Sequence, residues 1–171
     1  SLSNDVAPAL YFNPLPPGFQ VEKQKLPFKP GPVAPAKRPA NPDDLAFLSV
    51  RELGELIRTR LVSSTELTAF FLDRLKKHDP QLKCVVTLTE KLAMIQAAKA
   101  DNELRRGIYR GPLHGIPFGA KDLLAKRGYP TTWGSVPYRT QTLDEDATVI
   151  QRLEKAGAVL CAKLSLGELA W

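Results

Sequence analysis

The chain has 171 residues, 43% hydrophobic and 25% charged. This balance suits one domain with a substantial core and excludes a disordered or fibrous protein. The net charge of +6 comes from Lys and Arg that are scattered and mostly neighbour Glu or Asp. It reads as a solvated surface rather than a nucleic-acid interface, and no basic-aromatic motif of a known reader accompanies it. No apolar stretch approaches the length of a membrane span, so a membrane partner is not expected.

Residues 1–42 hold ten of the fifteen prolines, which rules out a helix or a central strand there. The prediction is an extended arm over residues 1–47, in part polyproline II. The aromatics of Leu10-Tyr11-Phe12, Phe19 and Phe28 suggest that part of it lies along a folded body. The first residue is Ser1, with neither a basic leader nor an apolar core of a signal peptide. That suits a processed exported protein and a trimmed cytoplasmic one equally.

The folded region is predicted to begin near Leu48. Ser49-Val50-Arg51-Glu52 has the spacing of a capping box, with Leu48 and Leu53 as its hydrophobic staple. The helix that follows presents Leu53, Leu56 and Ile57 on one face and should end near Leu61. Ser63 to Glu66 repeats the box, and the next helix carries Leu67, Phe70, Phe71 and Leu75 at helical spacing, with a stop expected before Pro80. The two phenylalanines are read as core.

Cys84 to Leu88 is a short β-branched run and reads as a strand. Thr89 is expected to cap a helix through Leu92, Ile95, Ala98 and Leu104, which Gly107 ends. Arg105 and Arg106 fall in its last turn, where cations complement the helix dipole. The apolar run Ile116–Ala120, punctuated by Gly115 and Gly119, reads as a buried strand that ends at Lys121. Strand, helix, strand is a crossover order and favours an α/β class. His114 is read as a loop histidine satisfied by backbone, and His78 as lying on an exposed helix end. Cys84 and Cys161 sit in apolar runs and are expected to be free, buried thiols.

Lys121 is the residue that chemistry singles out. A lysine at the carboxyl end of a buried strand is costly to keep charged, because desolvation favours the neutral amine, and a neutral amine is a base. Asp122 would face the other way if the strand persists. Leu123–Gly128 is predicted as one helical turn, and residues 130–135 as a loop in which Gly134 lets backbone approach a ligand. Asp144-Glu145-Asp146 is expected to open a helix at its positive end, with Val149, Ile150 and Leu153 facing the core and Gly157 as the stop. Ala158–Ala162 then gives a second buried strand and a second crossover, so two strand ends would converge near Lys121, where open α/β sheets place ligands. Ser165 to Glu168 has the spacing of a third capping box. A helix started so close to Trp171 would be marginal by nucleation cost, so the chain is expected to be a fragment, or one chain of a cut protein.

Three ordered stretches together resemble the amidase signature family: Gly115-Ile-Pro-Phe-Gly-Ala-Lys-Asp122, Gly128-Tyr-Pro-Thr-Thr-Trp-Gly-Ser135, and Asp146 through Leu160. The resemblance spans about Leu48 to Trp171. It implies an α/β/α layered mixed sheet of the amidase-signature type, of which residues 48–171 would be the amino-terminal part. It also implies a Ser-cisSer-Lys triad with Lys121 as the lysine and both serines in a Gly/Ser-rich stretch outside these residues. Gly134 and Ser135 would border the substrate, as would Ala170 and Trp171. The implied partners are a small-molecule amide and the remainder of the domain, with no metal and no organic cofactor. Two alternatives accompany the stand-alone amidase: the amidase subunit of a tRNA-dependent amidotransferase, and a non-catalytic binding or assembly fragment. The Pro-rich arm departs from the compact start associated with the tRNA-linked subunits and favours the stand-alone enzyme.

Overall fold

Ser49 starts the architecture as its spacing predicts. Its side chain accepts from the Glu52 amide, and the Glu52 carboxylate accepts in return from the Ser49 amide at 2.8 Å. The Ser49 hydroxyl also donates to that carboxylate, at 2.7 Å, and together with the Ser49 amide it holds the Glu52 carboxyl below its usual range. The computed structural model describes Val6, residues 14–22, Gln24, Pro27, residues 31–32 and residues 35–171. It divides into an amino-terminal stretch, Ser1–Pro32, and a body, Val33–Trp171. In the first, Gly18 at φ +81 and the bond from Phe19 N to Pro16 O make a tight turn of the kind that Pro-Gly at its centre favours. Leu10-Tyr11-Phe12 and Phe28 lie outside the described residues, and Phe19 is exposed.

The body begins ahead of the expected boundary at residue 48. Asn41 caps a short 3-10 helix, Pro42–Phe47, whose Leu45 is 2% exposed and packs with Leu53, Leu56 and Ile57. Helix α1 (Val50–Arg58) is followed by α2 (Ser64–Leu82). Ser63 caps α2, but the reciprocal half of the box is missing because the Glu66 carboxylate is engaged by the Arg38 guanidinium. Nor does α2 stop before Pro80. It runs two residues further and closes on Lys83 in the left-handed conformation, the proline falling in the last turn.

Strand β1 (Val85–Leu88) leads into α3 (Glu90–Arg105), then β2 (Pro117–Lys121), α4 (Thr148–Lys155) and β3 (Val159–Leu164). Thr89 precedes α3 without capping it. Its hydroxyl donates to Leu160 O at 2.6 Å, fastening the helix start to the sheet instead. The sheet order is β1-β3-β2. β2 and β3 are parallel neighbours, so β2-α4-β3 is the expected crossover. β1 and β2 are not neighbours, and β1 pairs antiparallel with β3, so the first strand-helix-strand passage is no parallel crossover. Central β3 is buried on both faces, as the apolar run Val159–Ala162 allows, and Lys163 after that run is buried as well. Val159 and Cys161 pack against Leu72 of α2 and Ala93 and Ala97 of α3, while Leu160 packs with Ile150 of α4. Helices therefore cover the two faces, and the fold is an α/β/α mixed-sheet arrangement.

Two local features are open to test. Gly115 sits at φ +76, and a Cβ there would lie 2.8 Å from Ser64 Cβ and 2.9 Å from its Oγ, the hydroxyl that donates to Gly115 O. Gly115→Ala is expected to cost about 2–3 kcal/mol from the left-handed backbone and the clash, read from the denaturant midpoint. Cys161 is buried, and burial pushes its thiol up to about 12, against a lowering by a backbone hydrogen bond from Phe118. Cys84, only half-buried, should take up iodoacetamide near pH 8 in the native protein. Cys161 should stay unmodified until denaturant is added, as peptide mass spectrometry would show.

Candidate active site

β2 carries Lys121 to the carboxyl edge of the sheet, where it pairs in register with Leu164 of β3. Strand alternation then sends Lys121 and Asp122 to opposite sides. Lys121 is exposed and Asp122 is fully buried. Among the described residues the desolvation expected for Lys121 therefore falls on its neighbour, and Lys121 itself stays open to solvent.

Asp122 is fixed at every polar atom. Its N–H donates to Leu164 O at 2.9 Å, and its carbonyl accepts from Trp133 N at 3.3 Å. Carboxylate Oδ2 accepts from both the amide and the hydroxyl of Thr132. Oδ1 meets the Lys163 ammonium at 2.6 Å, its one partner among the described residues. Lys163 is itself 0% exposed, and its Nζ donates to Pro130 O at 2.9 Å and Thr131 Oγ1 at 3.1 Å. A buried lysine thus ties the end of β3 to Asp122 and to the loop of residues 130–135.

That loop is pressed against the segment after β3. Gly134 is at φ +68, and a Cβ there would stand 2.8 Å from Leu166 O. Ser135, expected to face a ligand, is 5% exposed and donates its hydroxyl to Glu168 Oε1 at 2.8 Å. The expected capping box at Ser165 is therefore absent: Glu168 is held by Ser135, and only a 3-10 turn, Glu168–Ala170, forms, with Leu169 N bonded to Trp133 O at 2.7 Å. Ala170 and Trp171 are exposed. Gly134 and Ser135 line an open pocket of about 470 Å³ together with Val86, Thr132, Val136 and Arg139. Of the five residues singled out for the site, Gly134 and Ser135 line this pocket and Lys121, Ala170 and Trp171 do not; the segments that carry them are joined by the Asp122–Trp133, Ser135–Glu168 and Trp133–Leu169 hydrogen bonds, and the Ser135 hydroxyl is committed internally.

Two other expectations change nearby. Residues 123–128 form turns and no helical turn. Asp146 does not charge the start of α4, whose first turn holds no acid. It binds Lys126 Nζ at 2.9 Å and Arg127 N at 2.7 Å. Burial raises the Asp146 carboxyl, but those bonds outweigh it and hold it below the usual range. Burial likewise works against the Lys126 ammonium, yet Glu154 and Asp146 hold it above the ordinary lysine value. His114 is satisfied by backbone as expected. Its Nδ1 accepts from Arg110 N at 3.3 Å, which leaves the proton on Nε2, 2.9 Å from Ala100 O. His78 is half-buried within α2 rather than exposed at its end.

The Amidase family model matches residues 66–171, which include both strands at this edge and the whole loop. The chain belongs to the amidase family. It is 40% identical over 129 residues to a putative amidase, AmiD, of Mycobacterium tuberculosis, covering 75% of this chain and 27% of that protein. It is 34% identical over 127 residues to a glutamyl-tRNA(Gln) amidotransferase subunit of Carboxydothermus hydrogenoformans, covering 74% of this chain and 26% of that relative. Among solved amidase structures, the peptide amidase from Stenotrophomonas maltophilia superposes with a TM-score of 0.66 at 36% identity, over 70% of this chain and 25% of that one. The chain therefore spans about a quarter of the length of the amidase-family relatives it matches.

Lys163 and Thr132 are the site-edge residues that reading the sequence missed. The apolar run predicts a strand that ends at Ala162, one residue short of the lysine. A lysine enclosed by the apolar run of residues 158–164 is the available signal, since lysine enters a core only with a partner.

Proposed function

We propose that this chain supplies the lysine of an amide-hydrolysing Ser-cisSer-Lys triad, with the remainder of the amidase domain supplying both serines. The observation that carries the reading is Lys121 itself: an exposed amine that ends β2 at the carboxyl edge of a parallel pair in an amidase-family chain. Covered by the remainder of the domain, a neutral Lys121 amine would take the proton of the bridging serine, which takes that of the nucleophilic serine. The nucleophile adds to the amide carbonyl, and collapse breaks the C–N bond, the amine leaving with the relayed proton. Water then hydrolyses the acyl-enzyme by the same route.

The 171 residues alone are expected to hydrolyse no amide, and the full-length enzyme to do so. An aryl amide assayed against both, with a Lys121→Ala control, tests this. Turnover by the 171 residues above that control would overturn it. The amidotransferase reading is favoured by the similarity to the glutamyl-tRNA(Gln) amidotransferase relative. Scattered basic charge predicts only weak tRNA binding that fades as salt rises. A filter-binding titration showing tight binding at physiological salt would select the amidotransferase.

A further inference from the structure

The Lys163–Asp122 pair takes no part in the proton relay, yet it is the most completely buried charged arrangement among the described residues, both side chains being 0% exposed. We infer that Lys163 is a positioning residue: through Asp122 it sets the backbone from which Lys121 projects, and through Pro130 and Thr131 it locks the 130–135 loop to the same point. This inference rests on the assignment of Lys121 as the base.

Three observations lead to it. Asp122 directly follows Lys121, so the anchoring of its backbone and side chain fixes the direction in which Lys121 leaves the sheet. The anchors come from separate parts of the chain: Leu164 O, the Trp133 and Thr132 amides, the Thr132 hydroxyl and the Lys163 ammonium. Finally, Lys163 has no group to spare for a ligand. Its three donors are matched by Asp122 Oδ1, Pro130 O and Thr131 Oγ1. A lysine fully used in this way cannot be the base or a substrate contact. A displacement of roughly 1 Å in a catalytic group is enough to cost on the order of a hundredfold in rate.

The test is made in the full-length enzyme with an aryl amide, comparing Lys163→Met, the double variant Asp122→Asn with Lys163→Met, and Lys121→Ala. Lys163→Met strands a buried carboxylate and should lower both melting temperature and kcat. The double variant removes both charges, keeps an acceptor for Thr132, and should regain most of the melting temperature. Its kcat is nevertheless expected to remain about a hundredfold below wild type, with KM within about threefold. A double variant that recovers kcat along with its melting temperature would reduce the pair to a structural role and overturn the inference. If neither pair variant folds, Thr132→Val removes one Asp122 donor. It should lower kcat about tenfold at unchanged KM, on the scale of one lost positioning hydrogen bond, and an unchanged kcat would overturn the inference equally. The two levels separate cleanly. An inactive Lys121→Ala beside a fully active double variant refutes positioning alone, whereas an active Lys121→Ala refutes the base on which it rests.

Discussion

Lys121→Ala in the full-length enzyme is expected to lower kcat by about ten-thousandfold, the scale on which other hydrolases respond to loss of a triad member, while leaving the fold intact. The two halves of that expectation have separate causes. The loss follows from removing the only acceptor at the end of the relay. The intact fold follows from how little the described residues depend on Lys121: its side chain is exposed among them, and removing an amine that is costly to cover need not destabilise the domain that covers it. Lys121→Arg should be nearly as damaging, because a guanidinium stays protonated and cannot accept a proton. A lysine that merely solvates the edge of the sheet behaves differently. Arginine would then restore function and alanine would cost under about tenfold. Rates and a thermal melt of the two variants decide between these outcomes.

Asp122→Ala should act in the opposite way, on stability before activity. The substitution leaves the Lys163 ammonium buried without its counter-charge and the Thr132 amide without an acceptor. Removing one member of a buried pair costs about 3–5 kcal/mol, so the denaturant midpoint should fall sharply. Asp122→Asn keeps the acceptor and loses only the charge, and should recover part of that loss. A midpoint for Asp122→Ala equal to wild type would mean that Lys163 finds water in solution, contrary to its complete burial.

The contrast between these two neighbours marks how far the sequence could be read. Local devices were legible: the Ser49–Glu52 box, the left-handed stops at Gly107 and Gly157, and the strand that ends at Lys121 are written within a few residues. The ordered motifs carried the family and its layered α/β class. What failed had a distant competitor. Glu66 was taken by Arg38, Glu168 by Ser135, and the Thr89 hydroxyl by Leu160 O, each displacing a cap that local spacing had suggested. Lys163 lies 41 positions from Asp122, and no periodicity links them. Lys121 is exposed among the described residues for a related reason: the end of a strand is enclosed by what folds over it, and no local pattern names that segment.

The strand order bears on how the chain assembles during synthesis. Among the described residues β1 and β2 make no ladder with each other, and each finds its partner in β3, the last of the three to leave the ribosome. Until residues 159–164 emerge, two short apolar segments wait without that partner, and closing β1 onto β3 spans the seventy residues 89–158 of intervening chain. Such non-local closure slows folding and prolongs the exposure of aggregation-prone edges. α1, α2 and α3 can meanwhile gather around Leu56, Ile57, Leu67 and Leu104 from nearer contacts, so a nascent helical cluster would form first and serve as the surface on which a late central strand completes the sheet.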